Sequence, residues 1–93
     1  MAVERIGDFF KGYGKYTPLE LTKVSYDISN ELKNKLNIEV VIVIRSSQET
    51  IVAKTNDIYI HDVLTLRGRK IIRSFLLQKY PQLSRYKILL RVE

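Results

Sequence analysis

The sequence contains no cysteine and no tryptophan, and only one methionine and one histidine among its 93 residues. The absence of cysteine excludes disulfides, thiolate metal sites and cysteine nucleophiles. No apolar run approaches the roughly 18 residues that a membrane-spanning helix needs, and the first ten residues lack the apolar centre of a signal peptide. We therefore expect a cytoplasmic protein. The low content of thermolabile residues beside frequent charged ones is typical of thermophilic proteins.

Acidic residues are nearly absent from the last third of the chain. From residue 67 to the C-terminus there are eight basic side chains and one acidic side chain, whereas the first 66 residues carry eight basic and nine acidic ones. The formal net charge of +6 therefore arises in the final 27 residues. A concentrated positive surface binds polyanions in a salt-dependent way. Nucleic acid, either DNA or RNA, is the expected partner, and an acidic protein surface is the alternative.

The length and composition are typical of one globular domain spanning residues 1–93, with 45% hydrophobic and 28% charged residues. The pattern of apolar residues predicts the order α-α-β-β-β-α-β. This order indicates an α+β fold, a two-layer sandwich in which two long helices cover a small, mostly antiparallel sheet of three to four strands. Residues 1–16 are predicted to form a short helix and a loop, and residues 17–93 the α+β core.

The first long helix has the clearest local signals. Thr17, Pro18 and Glu20 form the pattern of a capping box with proline at the first helical position. Asn37 is suited to the left-handed conformation that ends many helices. One apolar stripe at intervals of three and four residues connects these ends, formed by Leu21, Val24, Ile28, Leu32 and Leu36.

Four strands are predicted after this helix. The β-branched run from Val40 to Ile44 favours a strand buried on both faces, in the centre of the sheet. Thr50–Lys54 and Ile58–His61 are predicted to form a hairpin. Residues 86–93 alternate between apolar and polar side chains, which predicts a half-buried edge strand with basic residues on its outer face. A homodimer through this C-terminal edge strand is one possible assembly.

The basic residues are concentrated at the predicted start of a second long helix, from Leu64 to Tyr80, with Thr65 as its N-cap and Pro81 as its end. Gly68 would leave the first turn bare, so that a phosphate could reach free backbone N–H groups. Arginine adds bidentate contacts to phosphate. The predicted nucleic-acid contacts of this region are Arg67, Arg69, Lys70 and Arg73, extended by Lys87 and Arg91 of the last strand.

An N-terminal loop is predicted to supply further contacts. Tyrosines between lysines and glycines suit stacking on bases together with contact to phosphates, although the same composition also suits a plain connector. The loop residues concerned are Lys11, Tyr13, Lys15 and Tyr16.

No residue pattern indicates catalysis or a cofactor. Asp57 and His61 would share one face of a strand, but no third metal ligand is evident. Asp57 is not followed by the Glu-x-Lys pattern of one class of nucleases, and no Gly-x-Ser-x-Gly motif occurs. We therefore expect a protein that is not an enzyme and that carries no metal or cofactor.

The predicted order from Thr17 to Tyr80, a helix, three strands and a basic helix, resembles the double-stranded-RNA-binding domain. In that family, basic residues at the start of the second helix contact phosphates across a groove. The resemblance implies this role for Arg69, Lys70 and Arg73. The hairpin followed by a helix is also similar to the C-terminal half of a thioredoxin-like fold, although without Cys-x-x-Cys redox activity is excluded.

The sequence thus predicts a small basic protein that binds nucleic acid through backbone phosphates, with little sequence specificity. The alternative is an accessory subunit or adaptor without enzymatic activity, whose basic face docks onto an acidic partner protein.

Overall fold

The computed structural model describes residues 16–93. The predicted short N-terminal helix and the loop residues Lys11, Tyr13 and Lys15 lie outside this range. The helices and strands of the described part are, in chain order, α1 (Pro18–Leu36), β1 (Val41–Arg45), β2 (Thr50–Thr55), α2 (Ile58–Val63), a π-helical segment (Leu64–Gly68), α3 (Arg69–Lys79) and β3 (Lys87–Val92). Short 3-10 turns at Ser46–Gln48 and Pro81–Leu83 connect some of them.

Helix α1 forms as the sequence predicts, because its signals are local. The Thr17 hydroxyl accepts a hydrogen bond from the Glu20 N–H, and the Glu20 carboxylate accepts one from the Thr17 N–H at 2.9 Å. At the other end Asn37 is left-handed, with φ 56°, and its N–H donates to the Lys33 carbonyl. The predicted apolar stripe is confirmed, since Val24, Ile28 and Leu32 are buried and Leu21 and Leu36 pack against the core.

The sheet has three strands in the order β1-β2-β3. Strands β1 and β2 are antiparallel, whereas β2 and β3 are parallel, so the sheet is mixed and not mostly antiparallel. The prediction that the β-branched run forms a central strand is wrong, since β2 is central and β1 lies at an edge. Only one face of β1 is covered: Ile42 is buried, whereas 62% of Val41 is exposed.

The prediction of a third strand at Ile58–His61 is also wrong, because these residues form helix α2. The Asp57 carboxylate accepts hydrogen bonds from the backbone N–H groups of Tyr59 and Ile60 at 2.8 and 3.4 Å and so caps the helix. The described order is α-β-β-α-β. The resemblance to the double-stranded-RNA-binding domain requires three strands between the two helices, whereas only β1 and β2 lie there and the third strand of the described sheet, β3, follows the second helix.

Residues 58–79 form one continuous helical segment that leads from β2 to β3. Its middle is π-helical, and the Arg69 N–H donates to the carbonyl of Leu64, five residues earlier. Gly68 is buried here, and a Cβ atom at this position would lie 2.7 Å from Cδ2 of Leu64. The predicted N-cap at Thr65 is wrong, since the Thr65 hydroxyl donates to the His61 carbonyl inside the helix.

Helices α1 and α3 and all three strands contribute side chains to one core, so the predicted α+β class is confirmed. Strand β3 lies at the second edge of the sheet, as predicted, with Ile88 buried and Lys87 and Arg91 exposed. The shared core contains side chains from the helices and from the strands. Its fully buried members include Ile28, Leu32, Ile51, Leu64, Ile72, Leu76 and Leu83.

Candidate functional site

Three of the predicted contact residues are exposed and lie within four consecutive positions of the helical segment: Arg67, Arg69 and Lys70. We call them the helix cluster. They lie at the junction of the π-helical segment and α3, where the neighbouring residues Leu64, Gly68 and Ile72 are buried. Within residues 16–93, no carboxylate forms an ion pair with any of the three. No carboxylate of the described part of the chain therefore neutralises their positive charge.

Arg73, the fourth predicted contact on this helix, is used within the fold. Its side chain is half-buried, and Nη1 donates to the carbonyl oxygens of Ser84 and Tyr86, the second at 3.1 Å. These bonds tie α3 to the turn that leads into β3. Arg73 also contributes to an open depression of about 340 Å³ that is lined by Arg69, Lys70, Arg73 and Ser74.

The predicted route for phosphate binding, through free N–H groups at a helix start, is wrong. The helical segment begins at Ile58, with its first N–H groups capped by Asp57. Gly68 lies in the middle of that segment and is packed against Leu64. An anion at the helix cluster would therefore meet guanidinium and ammonium groups, and not the positive end of a helix dipole.

The register of the sheet places the other predicted cations on a different surface. Across the three strands, Arg45 lies beside Thr50 and Lys87, and Val41 lies beside Lys54 and Arg91. Side chains alternate along a strand, so all of them point away from the face that contacts the helices. Lys87 and Arg91 therefore do not extend the helix cluster on one face.

We call this surface, on the side of the sheet away from the described helices, the open sheet face. Between its cations runs an apolar row formed by Val43, Val52 and Leu89, which are direct neighbours in the register. Val52 is 2% exposed and Leu89 is 38% exposed. Lys54 has a carboxylate beside it, that of Glu93 at 3.5 Å, whereas Arg45, Lys87 and Arg91 have no ion pair within residues 16–93.

Arg45 was not among the sequence-predicted contacts. It ends a strand whose other members are apolar, and nothing local shows that it shares a face with Lys87. That relation depends on strand register, which joins Arg45 to Thr50 and Thr50 to Lys87.

Tyr16, the one predicted loop contact inside the described range, packs against the helices. Its ring lies edge-on to that of Tyr80, with 6.4 Å between the ring centroids. The Tyr80 hydroxyl donates to the Asp27 carboxylate at 2.6 Å and so connects the end of α3 to α1. This hydrogen bond, together with burial and the charge of Asp27, raises the pKa of Tyr80 to about 12.

The described residues contain no group of three or more histidine and acidic side chains that could hold a metal ion. Asp57, the predicted partner of His61, caps helix α2 instead. None of the helices in residues 16–93 has both the length and the apolar character required to cross a membrane.

Comparisons with protein-family models, with curated proteins and with solved structures find no match to this chain.

Proposed function

We propose that this protein binds nucleic acid and contacts the phosphate backbone mainly through the helix cluster. The observation that carries the proposal is the exposure of Arg67, Arg69 and Lys70 within four residues, with no ion-paired carboxylate in the described part of the chain. A surface optimised only for solubility intersperses both signs of charge. Here the one-sided charge favours a polyanionic ligand.

The chemistry of the cluster suits phosphate more than bases. Arginine offers two parallel N–H donors to one phosphate, and lysine adds a point charge beside them. Such contacts position a protein on the nucleic acid but carry no direct sequence information. Binding with little sequence preference and with a strong dependence on salt follows from this chemistry.

The test is a comparison of two triple variants with equal changes in net charge. The first carries Arg67→Gln, Arg69→Gln and Lys70→Gln. The matched control carries Lys23→Gln, Lys33→Gln and Lys35→Gln on α1, where all three lysines are exposed. Fluorescence anisotropy with short single-stranded and double-stranded DNA and RNA at low salt gives the affinity, and circular dichroism shows whether each variant is folded.

We expect the helix-cluster variant to lose more than about tenfold in affinity, since three phosphate contacts are removed. The control should lose much less. Equal losses in the two variants would mean that only net charge matters, and unchanged binding in the helix-cluster variant would exclude this surface.

A second function, docking onto an acidic partner protein, is favoured by the open sheet face. Its apolar row of Val43, Val52 and Leu89 lies between cations and carries no aromatic side chain on which a base could stack. A simple observation separates the two functions. A nucleic-acid-binding protein copurifies with material that absorbs at 260 nm until it is washed with high salt, whereas an adaptor for a protein does not.

A further inference from the structure

The outer edge of β1 is not paired with any strand of the described part of the chain. Within residues 16–93 the sheet ends at β1, and no other strand is hydrogen-bonded to that edge. The second edge of the sheet is β3, whose exposed Lys87 and Arg91 discourage pairing with another strand. Strand β1 lacks this protection, since it contains no proline and its only charged residue is Arg45 at its end.

The hydrogen bonds of the sheet identify the free backbone groups of β1. Lys87 N–H donates to the Glu49 carbonyl, and Glu93 N–H donates to the Thr55 carbonyl. Odd-numbered residues of β2 therefore bond to β3, and its even-numbered residues bond to β1. In the observed register these even-numbered residues pair with positions 41, 43 and 45 of β1. The N–H and C=O groups of Ile42 and Ile44 consequently point to the outer edge.

Space beside this edge allows another strand to approach. An open groove of about 530 Å³ runs between α1 and β1. On the α1 side it is lined by Tyr16, Pro18, Leu21, Thr22 and Ser25, of which Thr22 and Ser25 have short side chains. One turn further along α1, the Ser29 hydroxyl donates to the carbonyl of Val40, the residue before β1. This outward-pointing carbonyl therefore already has a hydrogen-bond partner. Among residues 16–93, the outward-pointing backbone groups without a partner are thus those of the strand itself.

We propose that β1 pairs with β1 of a second copy of this chain, antiparallel and with Val43 on the twofold axis. In this register the N–H and C=O groups of Ile42 bond to those of Ile44 in the other copy, so all four free groups of each strand are used. Isoleucine then faces isoleucine on the helix side of the sheet. On the open sheet face, Val43 meets Val43 and Val41 lies opposite Arg45.

The charges permit this register although the chain is basic. The two copies of Arg45 lie at opposite ends of the joint, about 13 Å apart at the rise of an extended strand. That distance exceeds the screening length at physiological salt, which is about 8 Å. No like charges are directly opposite, whereas pairing through β3 would bring Lys87 and Arg91 of two copies together. The two sheets join into one six-stranded sheet. This joining does not involve the helix cluster, so the proposal is independent of nucleic-acid binding.

The test uses position 41, where the side chain is 62% exposed and contributes little to the core of the monomer. Val41→Glu places an acid opposite Arg45 of the other copy and should tighten the dimer. Val41→Lys places a cation there and should weaken it. Each substitution acts twice in a symmetric dimer, so the dissociation constant should shift by about 2- to 30-fold in opposite directions.

Sedimentation velocity over a range of protein concentrations, without nucleic acid, measures these constants. Leu89→Glu and Leu89→Lys on β3 are the matched controls, with the same charge changes at the other edge, and they should leave the constant unchanged. Val41→Lys combined with Arg45→Glu should restore the dimer.

A wild-type protein that stays monomeric at its highest soluble concentration would overturn the proposal. So would a dimer that responds to the Leu89 substitutions and not to those at Val41, which would place the interface at β3. Neither result bears on nucleic-acid binding by the helix cluster, because the monomer already carries that surface.

Discussion

Arg73 shows how one side chain can be assigned to the wrong task from sequence. It follows Arg67, Arg69 and Lys70 on the same helix, and its type and spacing suit a phosphate contact equally well. Its partners in the structure are the carbonyls of Ser84 and Tyr86, 11 and 13 residues further along the chain. No local pattern shows contacts to backbone groups at that distance, so the sequence could place the residue but not its bonds.

Replacing Arg73 with alanine should lower the free energy of unfolding by about 1 to 3 kcal/mol, since two partly buried carbonyls lose a charged donor. Urea denaturation measures this loss. The control is Lys70→Ala on the exposed side of the same helix, which should change stability by less than about 0.5 kcal/mol. An Arg73→Ala protein as stable as this control would show that the hydrogen bonds to the turn contribute nothing.

Tyr80 gives the fold a pH dependence in the alkaline range. Its pKa rises from 10.0 to about 12 on folding, chiefly because the hydroxyl donates to Asp27. A raised pKa means that the protonated phenol favours the folded state. The contribution of Tyr80 to the free energy of unfolding is therefore fully present below pH 10 and is lost as the pH rises to about 12.

Tyr80→Phe should cost about 1 to 2 kcal/mol of unfolding free energy near neutral pH. The difference between the wild type and this variant should then shrink between pH 10 and pH 12. Denaturation at a series of pH values measures both effects. The comparison isolates Tyr80 from Tyr86, whose pKa is also raised, first by burial and then by the charge of Glu49. A difference that stays constant up to pH 12 would contradict the assigned role of the hydrogen bond.

At the scale of elements, predictions succeeded where the signal is local. The capping box at Thr17 and the left-handed Asn37 define α1 without help from the rest of the chain. Ile58–His61 is an exception, since it alternates like a strand and yet forms a helix whose local start signal, the cap at Asp57, was missed. The β-branched run of β1 predicted a strand correctly but a central position wrongly. Strand β1 is at an edge because the helical segment after β2 returns the chain so that β3 pairs with β2. That pairing is a tertiary relation, and the sequence of β1 does not show it.

Asp57→Ala tests the start of the helical segment. Two backbone N–H groups lose their acceptor, so the free energy of unfolding should fall by about 1 kcal/mol. Asp57→Asn keeps a capping oxygen and should retain most of the stability. Thermal denaturation by circular dichroism measures both variants. Equal stability of the alanine variant and the wild type would argue against a helix that begins at this residue.

For the whole molecule, the fold divides the basic C-terminal third between two surfaces. Arg67, Arg69 and Lys70 lie on the helical segment, whereas Lys87 and Arg91 lie on the open sheet face with Arg45. Composition predicted the excess of positive charge. Helix periodicity predicted one exposed face for Arg69, Lys70 and Arg73, but only the first two are exposed, since Arg73 is half-buried. Which cations become neighbours could not be predicted, because it follows from the strand register and from the face on which the helices pack.

The most direct measurement for the central claim is the salt dependence of duplex binding by the wild type and by the two triple variants. Each phosphate contact contributes a slope of about −0.9 to the logarithm of the binding constant against the logarithm of salt concentration. Removing the three charges of the helix cluster should therefore reduce the slope by about 2 to 3, while the α1 control keeps the wild-type slope. A slope near zero for the wild type, or the same slope in all three proteins, would contradict nucleic-acid binding through this cluster.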